Sequence, residues 1–335
     1  MKKILVIGGT GAMGVYVVPE LVKMGYEVHV PSMEDVEQVG DNPKYFKCNM
    51  KDIDTLKKVL AEKYDAIIDY LVYPEKEFHE RYKLFLDSTD HYIYLSSYRI
   101  YAGDCPINEE SARLLDVSTD KTYLDMWERE YSLYKAVGED ILRNSGYKNW
   151  SIVRPAITYS KRRFQLVTLE AYAVVNRALD GKKIVLPKEA KNVRGTMSWA
   201  GDVAKMFTGI LFNERAYGET FTFATAENHT WGEIADIYHE LMGAEFVWVD
   251  KMDYCNIIGE NNIQIRWQLE YDRLFDRVID NSKICDVAGI KQEDFISLKE
   301  GLRLELAGLP EGFRFEDRIG INERMDKYLA DKGLV

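Results

Sequence analysis

Three groups of residues in this chain have the types and the spacing to do chemistry. Tyr131 and Lys135 stand four apart in Tyr131-Ser132-Leu133-Tyr134-Lys135, which on a helix places phenol and ammonium on one face. A cation beside a phenol favours the phenolate, so Tyr131 is suited to exchange a proton with a hydroxyl or a carbonyl. Tyr328 and Lys332 repeat the spacing near the C-terminus, in a polar stretch that reads as a solvated face. The second group is Ser96-Ser97, which closes the apolar run Tyr92–Leu95. The third is Gly8-x-x-Gly11-x-x-Gly14, between an apolar run and a helical pattern. Glycines at that spacing let the backbone turn tightly and approach a pyrophosphate, whose charge meets the free N–H groups of the following helix.

These residues need elements to hold them. Lys3–Ile7 reads as a buried strand, Met13–Met24 as a helix stopped by Gly25, and Tyr26–Val30 as a second strand. Helices at Leu56–Lys63, Phe78–Asp87 and Tyr123–Asn144 alternate with strands at Ala66–Tyr70, Tyr92–Leu95 and Trp150–Val153. Such alternation means right-handed βαβ units and a parallel sheet covered on both faces. Ser97 therefore falls at the carboxyl end of a strand, where such sheets bind ligands. Beyond Arg154-Pro155 the pattern loosens. Helices are expected at Phe164–Leu179, Asp202–Phe212, Trp231–Met242 and near Leu298–Leu306, and strands at Lys183–Leu186 and Thr220–Phe223. The fold class is α/β, a Rossmann-type doubly wound sheet with a smaller C-terminal α/β lobe. The expected division is a dinucleotide-binding core over 1–155 with 198–226 returning to it, a substrate lobe over 156–197 and 227–315, and a tail over 316–335.

In this order the motifs resemble the extended short-chain dehydrogenase/reductases, the NAD-dependent epimerase/dehydratase family of sugar-nucleotide enzymes. Leu95-Ser96-Ser97 followed by Ile100-Tyr101-Ala102-Gly103 is similar to the family's Ser-Ser-x-x-Val-Tyr-Gly motif. Tyr131-x-x-x-Lys135 is similar to its catalytic helix, and Ile152-Val153-Arg154-Pro155 to its Leu-Arg-Pro signature. Trp199-Ala200-Gly201-Asp202-Val203-Ala204 resembles its His-Val-x-Asp-Val-Ala segment, with Trp199 in place of the histidine. Asp280-Asn281-Ser282-Lys283 resembles its C-terminal Asp-x-Ser-Lys. The resemblance implies Tyr131 as general acid/base, Lys135 on the nicotinamide ribose and Ser97 on the reacting oxygen. It implies a cofactor held by Gly8, Thr10, Gly11, Ala12, Met13, Gly14, Ser32, Lys135, Arg154 and Pro155. Arg273 would clamp a substrate pyrophosphate, or else form a surface ion pair with Asp272 or Asp276. A nucleotide-sugar substrate and a homodimer packed through the Tyr131 helix are further implications.

The departures narrow the reaction. Family members that remove water place an Asp-Glu pair beside the catalytic serine; this chain has Tyr98-Arg99, which favours an epimerase or ketoreductase over a dehydratase. Arg99 is either a contact for an anionic substrate or one half of an outward salt bridge. The second strand ends in Pro31-Ser32 instead of the acid that holds a ribose 2′-hydroxyl. The loop that follows carries Glu34, Asp35, Glu37 and Asp41, which disfavours a 2′-phosphate, so NAD is expected ahead of NADP.

Composition excludes other classes. A net charge of −11 over 335 residues argues against a general nucleic-acid or anionic-membrane binder. Four separated cysteines form no CxxC pair, and no apolar run reaches the length of a membrane span. The Met-Lys-Lys start runs straight into the first strand, and a cytoplasmic location is expected. The five histidines are scattered with no HExxH, so no metal site is expected. Two alternatives stand beside the enzyme reading: a relative of the same fold retained for RNA binding, and a reductase of a non-nucleotide carbonyl compound.

Overall fold

The computed structural model describes residues 1–103, 105–259 and 263–334. Seven strands form one parallel sheet: β1 Lys3–Ile7, β2 Glu27–Ser32, β3 Lys44–Lys47, β4 Tyr64–Asp69, β5 Thr89–Leu95, β6 Trp150–Pro155 and β7 Glu219–Phe223. Their order is β3-β2-β1-β4-β5-β6-β7. β1 is flanked by β2 and β4, with Ile4 opposite both Val28 and Ala66. The strand order reverses at that point, and the crevice above the carboxyl ends of β1 and β4 is where such sheets take ligands.

Both faces of the sheet are covered, which is why its central strands are almost continuously apolar. On one face, helix α1 (Gly14–Lys23) sends Val17, Val18 and Leu21 into a core shared with Val203 and Phe207 of a later helix, Ala200–Ile210. On the other, Leu56, Phe78, Phe85 and Leu142 pack on Leu5, Ile67 and Tyr92. β7 hydrogen-bonds to β6 at the sheet edge, so the chain returns to this sheet after leaving it at Pro155.

A separate core lies beyond the sheet. The strand Ile184–Pro187 pairs in parallel with Phe246–Val249, and the short hairpin Gln165–Leu166 and Leu169–Glu170 lies beside them. Helices Ala171–Leu179 and Trp231–Met242 complete it.

Several expected elements take a different form. The pattern over Tyr123–Asn144 is broken: a short helix covers Lys121–Leu124, and helix α2 begins only at Tyr131 and runs to Arg143. The segment Phe164–Leu179 starts as the hairpin, where Val167 adopts a positive φ of 53°, and becomes helical only at Ala171. Phe78–Asp87 splits into Glu75–His79 and Tyr82–Asp87. The expected tail is not solvated throughout its described residues, 316–334. Helix α3 (Ile321–Asp331) buries Ile321, Met325 and Leu329 in the second core. No helix among the described residues is long and apolar enough to cross a membrane.

Candidate active site

The glycine turn shows why its residues are what they are. Gly8 sits at φ +76°, a left-handed conformation that other residues adopt only with strain. A Cβ on Gly14 would lie 2.2 Å from the Gly9 carbonyl oxygen, so α1 can start this close to β1 only with glycine there. At Gly11 the one near atom is the Gly8 carbonyl oxygen, at 3.3 Å, which leaves the outer face of the turn open to a ligand backbone. Thr10, Ala12 and Met13 are half-buried around it. Ser32 ends β2, where its Oγ accepts from the Glu34 amide at 3.0 Å. Asp35 is paired with Lys47 at 2.5 Å.

Met13, from this turn, also lines a cleft of about 330 Å³ together with Ser97, Arg99, Tyr131, Pro155 and Arg273. Thus residues from the first turn, the end of β5, the start of α2, the end of β6 and the later lobe meet in one place. Ser97 follows β5 and begins a 3-10 turn, with its Oγ accepting from the Arg99 amide at 3.2 Å. Tyr131 is the first residue of α2, and its phenol shares the cleft with the Ser97 hydroxyl, which helps draw its pKa down. Glu130, immediately before it, caps the helix: its carboxylate accepts from Ser132 Oγ at 2.9 Å and from Arg99 Nη2 at 3.1 Å.

The electrostatics differ in one respect from the expectation. Burial pushes the Tyr131 phenol above its ordinary pKa, and the Arg99 guanidinium is the strongest influence pulling it back, ahead of Ser97 and Arg163. Arg99 lies 5.2 Å from the Tyr131 ring centre. Lys135 is on the same helix face, with Nζ 5.7 Å from that ring, but it is buried beneath the cleft. Its ammonium donates to the Leu95 carbonyl and, at 3.5 Å, to the Leu71 carbonyl. Burial lowers the Lys135 pKa to about 8, against the pull of Asp69 and Glu139, which hold the charge on. Asp69, at the end of β4, is itself raised to about 6 by burial. It accepts from Tyr92 Oη at 3.0 Å and from the Leu71 amide at 3.0 Å.

Two expected contacts are otherwise employed. The Arg154 guanidinium is buried in a bidentate pair with Glu139, at 2.8 and 2.7 Å, and its remaining nitrogen donates to Tyr101 Oη and the Glu109 carbonyl. Four of its five N–H donors are used and the side chain is buried away from the cleft; Pro155 is the member of that signature that lines it. Arg273 is neither a surface ion pair nor a free clamp. It is 2% exposed, ion-paired with Asp272, and donates to the Val167 carbonyl at 2.7 Å and Tyr98 Oη at 2.8 Å, with Gln165 Oε1 at 3.4 Å. Arg99 faces inward, with Glu130 on one side and Asp272 at 3.8 Å on the other.

Sequence reasoning missed Glu130, Asp69, Arg163 and Arg277. Glu130 adjoins Tyr131, but a glutamate before a helix is not a usual cap, so no signal marked it. Trp199, standing where the family's histidine is expected, donates from its indole to buried Glu305. Among the described residues no group of three or more His, Cys, Asp or Glu is placed to hold a metal ion.

Comparison with known proteins bears on the fold. Over 91% of the chain, the structure superposes on an epimerase from Methanothermobacter thermautotrophicus, covering 90% of it at TM-score 0.69 and 15% identity. It matches UDP-glucuronic acid 4-epimerase from Bacillus cereus, solved with UDP-glucuronic acid and NAD, at TM-score 0.68 and 14% identity, covering 91% and 98% of the two chains. UDP-glucose 4-epimerase from Thermotoga maritima, solved with UDP-glucose, matches at 0.66 and 16%, covering 91% and 97%. A curated relative, the chloroplast stem-loop binding protein of 41 kDa b from Arabidopsis thaliana, is 27% identical over an alignment of 251 residues, and the match covers 70% of this chain. The match spans 61% of that relative's length. The model of the NAD dependent epimerase/dehydratase family matches residues 4–222, and the chain belongs to that family.

Proposed function

We propose that the protein is an NAD-dependent epimerase or ketoreductase of a nucleotide sugar, with Tyr131 as its general acid/base. The observation that carries this reading is the meeting of Tyr131 and Ser97 in the cleft that Met13 of the glycine turn also lines.

The residues present fit a dinucleotide. The left-handed Gly8, the open face of Gly11 and the N-terminus of α1 form a cradle for a pyrophosphate. Gly8, Thr10, Gly11, Ala12, Met13 and Gly14 would hold it, with Ser32 toward the ribose at the adenine end, Pro155 on the cleft wall and Lys135 below. The acidic loop after Ser32, with Lys47 already paired to Asp35, favours NAD over NADP. When bound, the nicotinamide supplies a hydride acceptor and donor. The chain's own part is proton transfer and positioning. Tyr131 takes a proton from a substrate hydroxyl or returns it to a carbonyl oxygen, while Ser97 hydrogen-bonds the same oxygen. Arg99 and buried Lys135 keep positive charge near the phenolate as it forms. The lobe over 156–197 and 227–315 supplies the substrate side of the cleft through Arg163, Gln165 and Arg273.

Mass spectrometry of what co-purifies, followed by turnover assays on nucleotide sugars with wild type and Tyr131→Phe, tests the reading. Undiminished turnover in the variant contradicts it. A second reading, RNA binding, is favoured by the likeness to the chloroplast stem-loop binding protein. It predicts salt-sensitive binding of stem-loop RNA by protein free of dinucleotide.

A further inference from the structure

We propose that the substrate carries a carboxylate on its reacting ring, and that Arg99 and Arg163 hold it beside Tyr131. This rests on the function proposed above and specifies its substrate class.

Four guanidinium groups meet at this end of the cleft: Arg99, Arg163, Arg273 and Arg277. The carboxylates paired with them are three: Glu130 with Arg99, Glu170 with Arg163, and Asp272 shared by Arg99, Arg273 and Arg277. One positive charge is left over. It does not sit on the two innermost arginines. Arg273 is fully engaged, and Arg277 donates to Asp272 at 3.0 Å and to the carbonyls of Tyr101, Ala102 and Tyr271.

The spare donors belong to Arg99 and Arg163, which line the cleft together with Arg273. Arg99 Nη2 is bound to Glu130 and Nε is sealed from solvent opposite Asp272. Its Nη1 makes no hydrogen bond to the described residues and is not sealed. Arg163 is 38% exposed, and only its Nη2 reaches Glu170, at 3.4 Å. Both guanidinium groups lie close enough to the Tyr131 phenol to favour its charged form.

Position decides which anion this is. Arg99 is two residues beyond Ser97 and 5.2 Å from the Tyr131 ring, at the atoms that would touch the reacting oxygen. A diphosphate linking sugar to nucleoside lies several bonds from the reacting carbon, whereas a ring carboxylate lies next to it. A planar carboxylate also matches paired guanidinium N–H donors. A neutral hexose in the same place would bury the surplus charge without a partner.

The test is titration of the protein, in the presence of NAD, with UDP-glucuronic acid and with UDP-glucose, by calorimetry, for wild type, R99M, R99K and R163M. Wild type is expected to bind the acidic sugar about tenfold or more tightly than the neutral one. R99M and R163M are each expected to lose most of that preference, and R99K to keep part of it. Equal wild-type affinities, binding of neither sugar, or equal losses for both sugars in the variants overturn the proposal. Turnover measured alongside separates the two levels. Equal, Tyr131-dependent turnover of both sugars overturns the charge proposal and leaves the enzyme reading standing. Arginine-dependent preference for the acidic sugar without any hydride chemistry does the reverse.

Discussion

Tyr131/Lys135 and Tyr328/Lys332 share one spacing and almost one geometry, with lysine Nζ 5.7 Å and 5.5 Å from the respective ring centres. Their surroundings separate them. The Tyr131 phenol meets Ser97 and has Arg99 over its ring, so a phenolate there has a hydroxyl and a cation beside it. Tyr328 donates to Asp253 at 2.8 Å, and burial together with that carboxylate raises its pKa to about 12. Lys135 is buried, whereas the Lys332 side chain is 53% exposed and faces Asp253 at 4.0 Å. Spacing puts two groups on one helix face; the charges around them decide whether the proton can move.

The widest separation between the pairs is expected on removing the phenols. Tyr131→Phe should lower kcat by roughly 10²–10⁴-fold, while Tyr328→Phe leaves turnover near wild type, both read in steady-state assays. Comparable losses would erase the distinction. Lys135→Met should cost roughly 10²-fold in kcat, with Lys332→Met close to wild type.

The same lysine has a pH signature in stability. Its pKa falls to about 8 in the folded protein from about 10.4 in a model peptide. Between these values the unfolded chain binds the proton that the fold has released, so this residue makes stability rise with pH across that window. Its burial penalty is present in full below about pH 8. The difference in Tm between Lys135→Met and wild type should therefore change between about pH 8 and 10. Parallel curves for Lys135→Met would contradict the placement of that charge.

A smaller effect is expected at Arg99. Its removal takes away the main influence lowering the Tyr131 pKa, so in Arg99→Met the limb of the pH–rate profile that depends on phenolate should move to higher pH. Arg99→Lys should move it less. The smallest effect belongs to the control pair. Asp253→Asn should change stability by about 1 kcal/mol and leave the pH–rate profile in place.

Much of the sheet was legible because its strands are buried on both faces and read as apolar runs between turn residues. The helix Trp231–Met242 was readable to the residue, since Thr230 and Glu233 form a capping box and Gly243 ends it in a left-handed conformation. β3, by contrast, is an edge strand of sequence Lys-Tyr-Phe-Lys with no buried residue, and no period marks it. The helix at 321–331 did carry a signal, Ile321, Met325 and Leu329 at four-residue steps, which the charged residues between them masked.

In the site, Ser97, Tyr131 and Lys135 were readable from local motifs. Arg163, Asp272 and Arg277 were not. Their roles arise when segments distant in sequence from Ser97 and Tyr131, by more than a hundred residues for Asp272 and Arg277, close on the same end of the cleft, and nothing in the spacing of charges along the chain encodes that meeting. Arg154 shows the converse. The motif was visible, but its partner Glu139, 15 residues earlier on α2, was what determined its use.

Tyr131, and not its look-alike, is the residue expected to move the proton. The most direct measurement is single-turnover reduction of NAD by UDP-glucuronic acid, followed by the absorbance of the reduced nicotinamide, with wild type, Tyr131→Phe and Tyr328→Phe at saturating ligand. A burst of reduced dinucleotide is expected in wild type and in Tyr328→Phe, and none in Tyr131→Phe although it binds both ligands. A burst of wild-type rate in Tyr131→Phe would contradict that role for Tyr131.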